Sequence, residues 1–418
     1  MKQTRIPELD GLRALMIFLV SWYHIWQQSW LTPFLGQYSL DYLMRSGYVW
    51  VDGTVLLSSF LLFLPYARRS LNGEPSPDTK DFYFRRAKRI LPSYYFILLL
   101  ILFSVAVPYS LYYSPQFLVK DLAAHLTFLH TFSYETYVLT PLGAACWTIA
   151  VEVQAYLIFP LLARAAVRKP ALTLCLMVTV CFAFRLWCLW ALSDFTMVVN
   201  QLINFLDIYA LGMLLAFLFV RVRLKVENKA AEAGKNAAVK KQLLLIRVSA
   251  ACLFLLALFL LLRMLRLQAA SSANAAGYGL AGRFMQLLQG GTSMSNYAVI
   301  QRNQMLYRPV FGLLFGALLF SAPFSVRPLR FLLGNRFSRF LAGISMNYYL
   351  IHQTVITHMR RIGFPQSVSD APNQVGEQPW QFRYTLFAFG ISFLLAVAVT
   401  YLIEKPAGKY LERYRIKK

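Results

Sequence analysis

Ten apolar runs recur along this chain, at 12–30, 47–66, 93–111, 145–163, 171–193, 200–220, 243–262, 305–323, 338–358 and 384–404. Each is near the length of about 20 residues that a helix needs to cross roughly 30 Å of hydrocarbon. A backbone in lipid must satisfy its own hydrogen bonds, so such runs read as helices. Of the 418 residues, 58% are hydrophobic and 14% charged, more apolar surface than a soluble core of this length would hide. The expected fold is all-α, a polytopic membrane helix bundle of about ten transmembrane helices. A shorter stretch, "FLVKDLAAHLTFLHTF" (117–132), carries Lys120, Asp121, His125 and His130 and reads as a half-helix or an amphipathic segment at the surface.

The distribution of basic residues agrees with ten crossings and two cytoplasmic termini. In that arrangement 30 of the 42 Lys and Arg fall inside, 9 outside and 3 (Arg185, Arg247, Arg308) within spans, as the positive-inside rule requires. Counting 117–132 as a full crossing would invert the loops that follow it. The same count accounts for the formal charge of +24 without nucleic acid, because short basic loops set topology and meet anionic headgroups of the lipid bilayer. The polar stretches 67–89, 221–241, 263–304 and 359–382 are too short to fold separately, so residues 1–418 read as a single membrane domain with no separate soluble domain. The first apolar run lacks a small-residue cleavage site and contains His24, so it reads as a retained first helix. Five cysteines without C-x-x-C spacing read as packing residues, not a disulfide framework.

Polar residues inside the spans single out candidate sites. In "LDGLRALMIFLVSWYH", Arg13 and His24 are eleven positions apart, hence only about 20° apart around a helix, with Asp10 about 40° from His24. His24 then lies roughly 16 Å deeper than Arg13. Ionisable groups at depth usually face a bundle interior or a wet cavity. Asp10 and Arg13 fit equally a snorkelling, mutually paired helix end, and His24 an interhelical hydrogen bond. "CWTIAVEVQAYLIFP" places Glu152 about two turns into its helix, with Tyr156 one turn deeper on the same face. Such a carboxylate is costly unless paired or protonated; its bland reading is a partner for an interior arginine. In "GISMNYYLIHQ", Ser345, Tyr349 and His352 share one face, as a hydrogen-bonded seam between helices or as a reactive site. "FYFRRAKRILPSYY" brings Arg86 and Arg89 to the cytoplasmic start of the third helix, where guanidinium groups suit phosphate and positive-inside topology also predicts arginine. Glu404 and Lys405 before Pro406 read as a helix stop with an interfacial ion pair.

Taken together, "LDGLRA" followed by His24, "VDGTVLLSSFLL", "FRRAKRILPSYY", "WTIAVEVQAYLIFP", "ISMNYYLIH" and the terminal "EKP" resemble, in order and over nearly the whole chain, the acyltransferase 3 family of membrane O-acyltransferases. The resemblance implies a multi-pass enzyme of the bacterial cell membrane. It would move an acyl group, most often acetyl, from cytoplasmic acyl-coenzyme A (acetyl-CoA) to a hydroxyl of a glycan, lipid or small-molecule acceptor on the outer side. Within that frame Arg13, Arg86 and Arg89, with Asp10 beside them, would hold the phosphates of coenzyme A. His24 would be general base or transient acyl carrier, Glu152 would orient His24 or stabilise its charged form, and His352 with Tyr349 and Ser345 would position the acceptor or donate to the oxyanion. Two departures stand out: Ser58, Ser59, Phe60 where the family commonly has Ser-Gly-Phe, and Trp147, Thr148, Ile149 where it has Trp-Ser-Leu. There is also no room for the extracytoplasmic hydrolase-like domain of some members, so the membrane part is expected to act alone or with a partner.

Two rivals use the same residues. A proton-coupled transporter or flippase of a lipid-linked glycan would move substrate without covalent change; the absence of paired Gly/Pro-broken spans counts against it. A silent scaffold for polysaccharide assembly would use the polar sites only as seams. No metal is expected: His125 and His130 are five apart, and His352 and His358 six, so neither pair has the i, i+4 spacing that puts two imidazoles on one helix face. Acceptor selectivity is expected in the outer segment 263–304.

Overall fold

A computed structural model describes residues 5–143, 145–232, 236–273 and 296–416. Among the described residues the chain is all-α apart from a short hairpin, β1 (Phe34–Leu35) antiparallel to β2 (Tyr38–Ser39). The helices are α1 (Pro7–Ser29), α2 (Asp41–Arg45), α3 (Trp50–Leu71), α4 (Thr79–Ile101), α5 (Pro115–Leu126), α6 (Tyr134–Tyr137), α7 (Cys146–Arg168), α8 (Pro170–Ala191), α9 (Leu206–Glu232), α10 (Ala237–Ala273), α11 (Asn296–Ser321), α12 (Arg327–Gly334), α13 (Arg336–Arg361), α14 (Gln378–Val399) and α15 (Lys405–Ile416). All ten apolar runs of the sequence fall on long helices. Among the described residues eight helices are long and apolar enough to cross a membrane. The long helices α1 and α13 fall below that apolarity, and they carry His24 and His352. The protein is a polytopic helical membrane protein. Residues 274–295, the middle of the segment expected to select the acceptor, lie outside the described residues.

Local sequence explains several boundaries. Asp78 caps α4 by accepting from the Asp81 amide at 2.7 Å, and Ser114 caps α5 from the Phe117 amide at 3.1 Å with Pro115 in the first turn. Prolines 65, 92, 160 and 309 sit inside helices, tolerated where neighbouring helices satisfy the freed backbone groups. Segment 117–132 does not cross: α5 ends at Leu126 and the chain turns through Phe128, at φ +59°.

The chain divides into two compact units, Met1–Met16 with Leu40–Ser76 and Leu162–Arg339, and Ile17–Ser39 with Pro77–Leu161 and Phe340–Lys418. In the first unit α3 packs along α9. Ser59, at the position where the family commonly has glycine, donates to the Tyr209 carbonyl at 2.7 Å, and Gly212 opposite has no room for a side chain: a Cβ there would meet Ser59 at 2.7 Å. Gly212 thus keeps the helices close despite the Ser59 side chain. A buried charge network completes this unit. Arg185 binds Asp207 through two nitrogens at 2.7 and 2.8 Å and Asn204 at 2.6 Å, while Arg308 pairs with Asp52 at 3.0 Å and lies over the Phe205 ring. These partners answer the sequence question of why Arg185 and Arg308 lie in spans. Gly11 of "LDGLRA" is explained here too, because a Cβ would stand 2.0 Å from the Leu333 carbonyl oxygen of α12.

In the second unit the buried face of α5 holds Asp121, which accepts the Tyr112 and Thr140 hydroxyls, each at 2.8 Å. His125 and His130 stack with ring centroids 3.9 Å apart and planes 1° from parallel. The spacing argument kept these residues apart because it assumed one continuous helix; the turn after Leu126 folds His130 back over His125. In-plane lone pairs of parallel rings do not converge on one ion. The five cysteines are free.

Candidate active site

The second unit brings together most of the polar residues singled out in the sequence. Helix α1 is unbroken through Ser29, and His24 lies 17 residues past Pro7; His352 lies 16 past Arg336 in α13. Both are thus about 25 Å along their helices, and their ring centroids stand 5.3 Å apart. Phe18 and Tyr348, one to two turns nearer the helix starts, pack with ring centroids 4.4 Å apart and planes tilted by 36°, and hold the same pair of faces together.

The hydrogen bonds define both imidazoles. The Gln27 amide nitrogen donates to the Tyr23 hydroxyl at 2.9 Å, so its oxygen faces His24, whose Nδ1–H donates to it at 3.0 Å. His24 Nε2 then carries the lone pair. His352 Nδ1–H donates to the Tyr349 carbonyl at 2.6 Å, and its Nε2 is buried with no hydrogen-bond partner among the described residues. His24 is half-buried and His352 fully so. The two rings thus stand side by side, each with Nδ1 committed to a hydrogen bond and Nε2 left as the acceptor nitrogen. Gln27 was not singled out in the sequence; its position three residues after His24, on the same helix face, is the signal that would have found it.

Tyr349 is buried, its ring 5.4 Å from that of His352, and its hydroxyl pairs with Thr148 of α7. The Trp-Thr-Ile departure thus keeps a hydroxyl where Trp-Ser-Leu would supply one. Ser345 turns back to the Ala342 carbonyl at 3.0 Å, so it belongs to its own helix. Further along the same face of α7, Glu152 accepts the Tyr156 hydroxyl. The Arg86 guanidinium lies 5.8 Å from the Tyr156 ring centre, and Arg86 and Arg89 both act electrostatically on that hydroxyl. The hydrogen bond on His24 comes from Gln27, and that on Glu152 from Tyr156.

The terminal motif differs from its expected form. The helix does not stop at Pro406: a π-helical turn over 400–404 leads directly into α15. Glu404 accepts from Asn347 of α13 at 2.7 Å and lies in the field of Arg89, while Lys405 sits over the Tyr401 ring. The π-turn brings Glu404 to Asn347 while the Lys405 ammonium lies over Tyr401, so Lys405 acts on Glu404 through its field and not through a direct ion pair. Asp10 and Arg13 belong to the first unit. Asp10 pairs with Arg5 at 2.6 Å, and Arg13 is half-buried.

These elements define a class: a multi-pass helical membrane protein with a buried histidine pair and a separate set of arginines around a carboxylate. The family model described as an acyltransferase domain matches residues 6–404, and the chain belongs to that family, acyltransferase 3. The peptidoglycan O-acetyltransferase OatA of Listeria monocytogenes is 28% identical over 166 residues, 37% of this chain and 24% of that protein. The O-acetyltransferase OatA of Staphylococcus aureus strain NCTC 8325 is 28% identical over 168 residues, with the same coverage of both chains. The match with these curated relatives thus spans 24% of their length. No solved structure matches the chain.

Proposed function

We propose that this protein transfers an acyl group, acetyl by analogy with its relatives, from acyl-coenzyme A to a carbohydrate or lipid hydroxyl across the cell membrane. The observation that carries this reading is the His24–His352 pair with His24 fixed by Gln27. His24 Nε2 takes the proton of the acceptor hydroxyl as its oxygen attacks the thioester carbonyl. The tetrahedral adduct then collapses, the C–S bond breaks, and the imidazolium returns the proton to the departing thiolate, giving ester and free coenzyme A. A Gln27 amide in place of a carboxylate orients the ring without a charge to stabilise imidazolium. Of the two roles raised for His352, its tautomer favours positioning the acceptor by accepting a hydrogen bond from a second hydroxyl beside the reacting one, because Nδ1–H is already committed. Glu152, with Tyr156, steadies the positive field of Arg86 and Arg89, and those arginines bind the phosphates of the donor. The peptidoglycan named for one relative makes a cell-wall glycan the first acceptor to try.

The test is acetyl-coenzyme A binding and thiol release by purified protein. His24→Ala is expected to retain binding and lower transfer by about 100-fold or more. Arg86→Ala/Arg89→Ala is expected to lose binding. Undiminished transfer by folded His24→Ala would overturn the assignment, and proton-gradient-dependent movement of acceptor without covalent change would replace it with transport.

A further inference from the structure

One end of the first unit carries a cavity of about 410 Å³ that the acyl-transfer reading does not use. Its charged lining comes from three helices: Glu8 of α1, Arg247 of α10, and Arg327 and Arg330 of α12, with Ser325 and Phe331 beside them. Arg330 Nε donates to the buried Glu8 carboxylate at 2.8 Å, which neutralises one arginine. Arg247 and Arg327 are exposed, and among the described residues neither has a carboxylate partner. The cavity therefore presents two guanidinium groups. It is also preformed, because the contact of Gly11 with the Leu333 carbonyl and the Glu8–Arg330 pair fix α12 against α1.

The surface beside the cavity is apolar. Phe331, Leu332 and Phe337 are 72, 65 and 66% exposed, interleaved with Arg327, Arg330, Arg336 and Arg339. A free nucleotide would engage the guanidinium groups and make no use of these apolar side chains. A membrane lipid satisfies both, placing its phosphate on the arginines and its acyl chains along Phe331 and Leu332. The basic loop 324–340 is on the side that the positive-inside count assigns to the cytoplasm, where anionic headgroups concentrate.

We propose that this cavity is a binding site for the headgroup of an anionic phospholipid, which clamps α12 and the first turn of α1 to the inner leaflet. The proposal does not depend on the acyl-transfer reading. The experiment measures dioleoylphosphatidylglycerol and dioleoylphosphatidylcholine binding to full-length protein in neutral detergent by native mass spectrometry, with a thermal melt of each variant. Wild type is expected to prefer the anionic lipid. Arg247→Gln/Arg327→Gln is expected to weaken that binding by about fivefold per arginine, about thirtyfold together, and to leave phosphatidylcholine unchanged. Arg336→Gln/Arg339→Gln, outside the cavity, is expected to stay within about twofold of wild type. Glu8→Gln removes the opposing charge and frees Arg330 for the ligand, while the Gly11–Leu333 contact and the neutral amide still hold α12 against α1; it is expected to tighten binding, a gain that misfolding cannot mimic. Equal binding of both lipids, an unaffected Arg247→Gln/Arg327→Gln variant, or loss of coenzyme A binding in that variant with phosphatidylglycerol binding intact would each overturn the proposal; the last would give the cavity to the donor.

Discussion

His24 shows how much a single neighbour decides. Its ring is held by Gln27, which is in turn held by Tyr23, so one face of the first helix supplies both the base and its orientation. Replacing Gln27 by Ala is expected to lower the transfer rate about tenfold or more with little change in donor KM, since the ring loses its fixed tautomer but the donor site is untouched. Gln27→Glu is expected to raise the pH at which the rate half-falls on the acid side, because a carboxylate stabilises the imidazolium; a pH profile of kcat measures both. His130 gives a second, independent test. Burial, and then the neighbouring His125, push its pKa down to about 3 from an ordinary 6.5. A histidine held neutral in the fold contributes stability that is present above pH 6.5 and is lost as pH falls toward 3. Protection factors over residues 120–132, the intrinsic base-catalysed exchange rate at each pH divided by the observed one, are therefore expected to fall on acidification through that window, and His130→Phe to flatten the response.

Helix pairs in this protein meet through small residues and buried polar groups, as lipid provides no hydrophobic drive between apolar faces. The α3–α9 contact makes the point: Ser59 and Gly212 together occupy the space that Ser-Gly-Phe would leave free. Gly212→Ala places a methyl 2.7 Å from Ser59 and 2.9 Å from the Leu56 carbonyl, and is expected to destabilise the first unit by about 1–3 kcal/mol. Ser59→Gly in the same chain is expected to recover part of that loss, and only part, because the carbonyl remains; thermal melts of the single and double variants in detergent measure the coupling. Helices α1 and α13 depart in the other direction. They are the long helices too polar to count as spans by composition, and their polar faces meet each other at His24 and His352, not lipid. The same need to satisfy polar groups explains the π-turn at 400–404, which brings Glu404 to Asn347. A helix of regular pitch would have pointed that carboxylate elsewhere.

For the chain as a unit, the topology drawn from basic residues leads to a labelling experiment. In a Cys175→Ser/Cys252→Ser background, which removes the two exposed thiols, an impermeant maleimide is expected to label Ser369→Cys from outside intact cells and Ser76→Cys only after lysis. The reverse pattern would invert every loop assignment, including that of the lipid cavity. Hydrophobic run length and the spread of Lys and Arg were enough to read ten helices and the half-helix at 117–132, since hydrocarbon thickness and membrane charge act on local composition; the motifs were legible through the family resemblance. They could not read which faces meet. That His24 reaches His352 across 328 residues, that Arg308 finds Asp52 and that Gly212 faces Ser59 all depend on packing between segments distant in sequence. Spacing along one helix fixes direction around its own axis; the partner on the other side is chosen by the helices that pack against it.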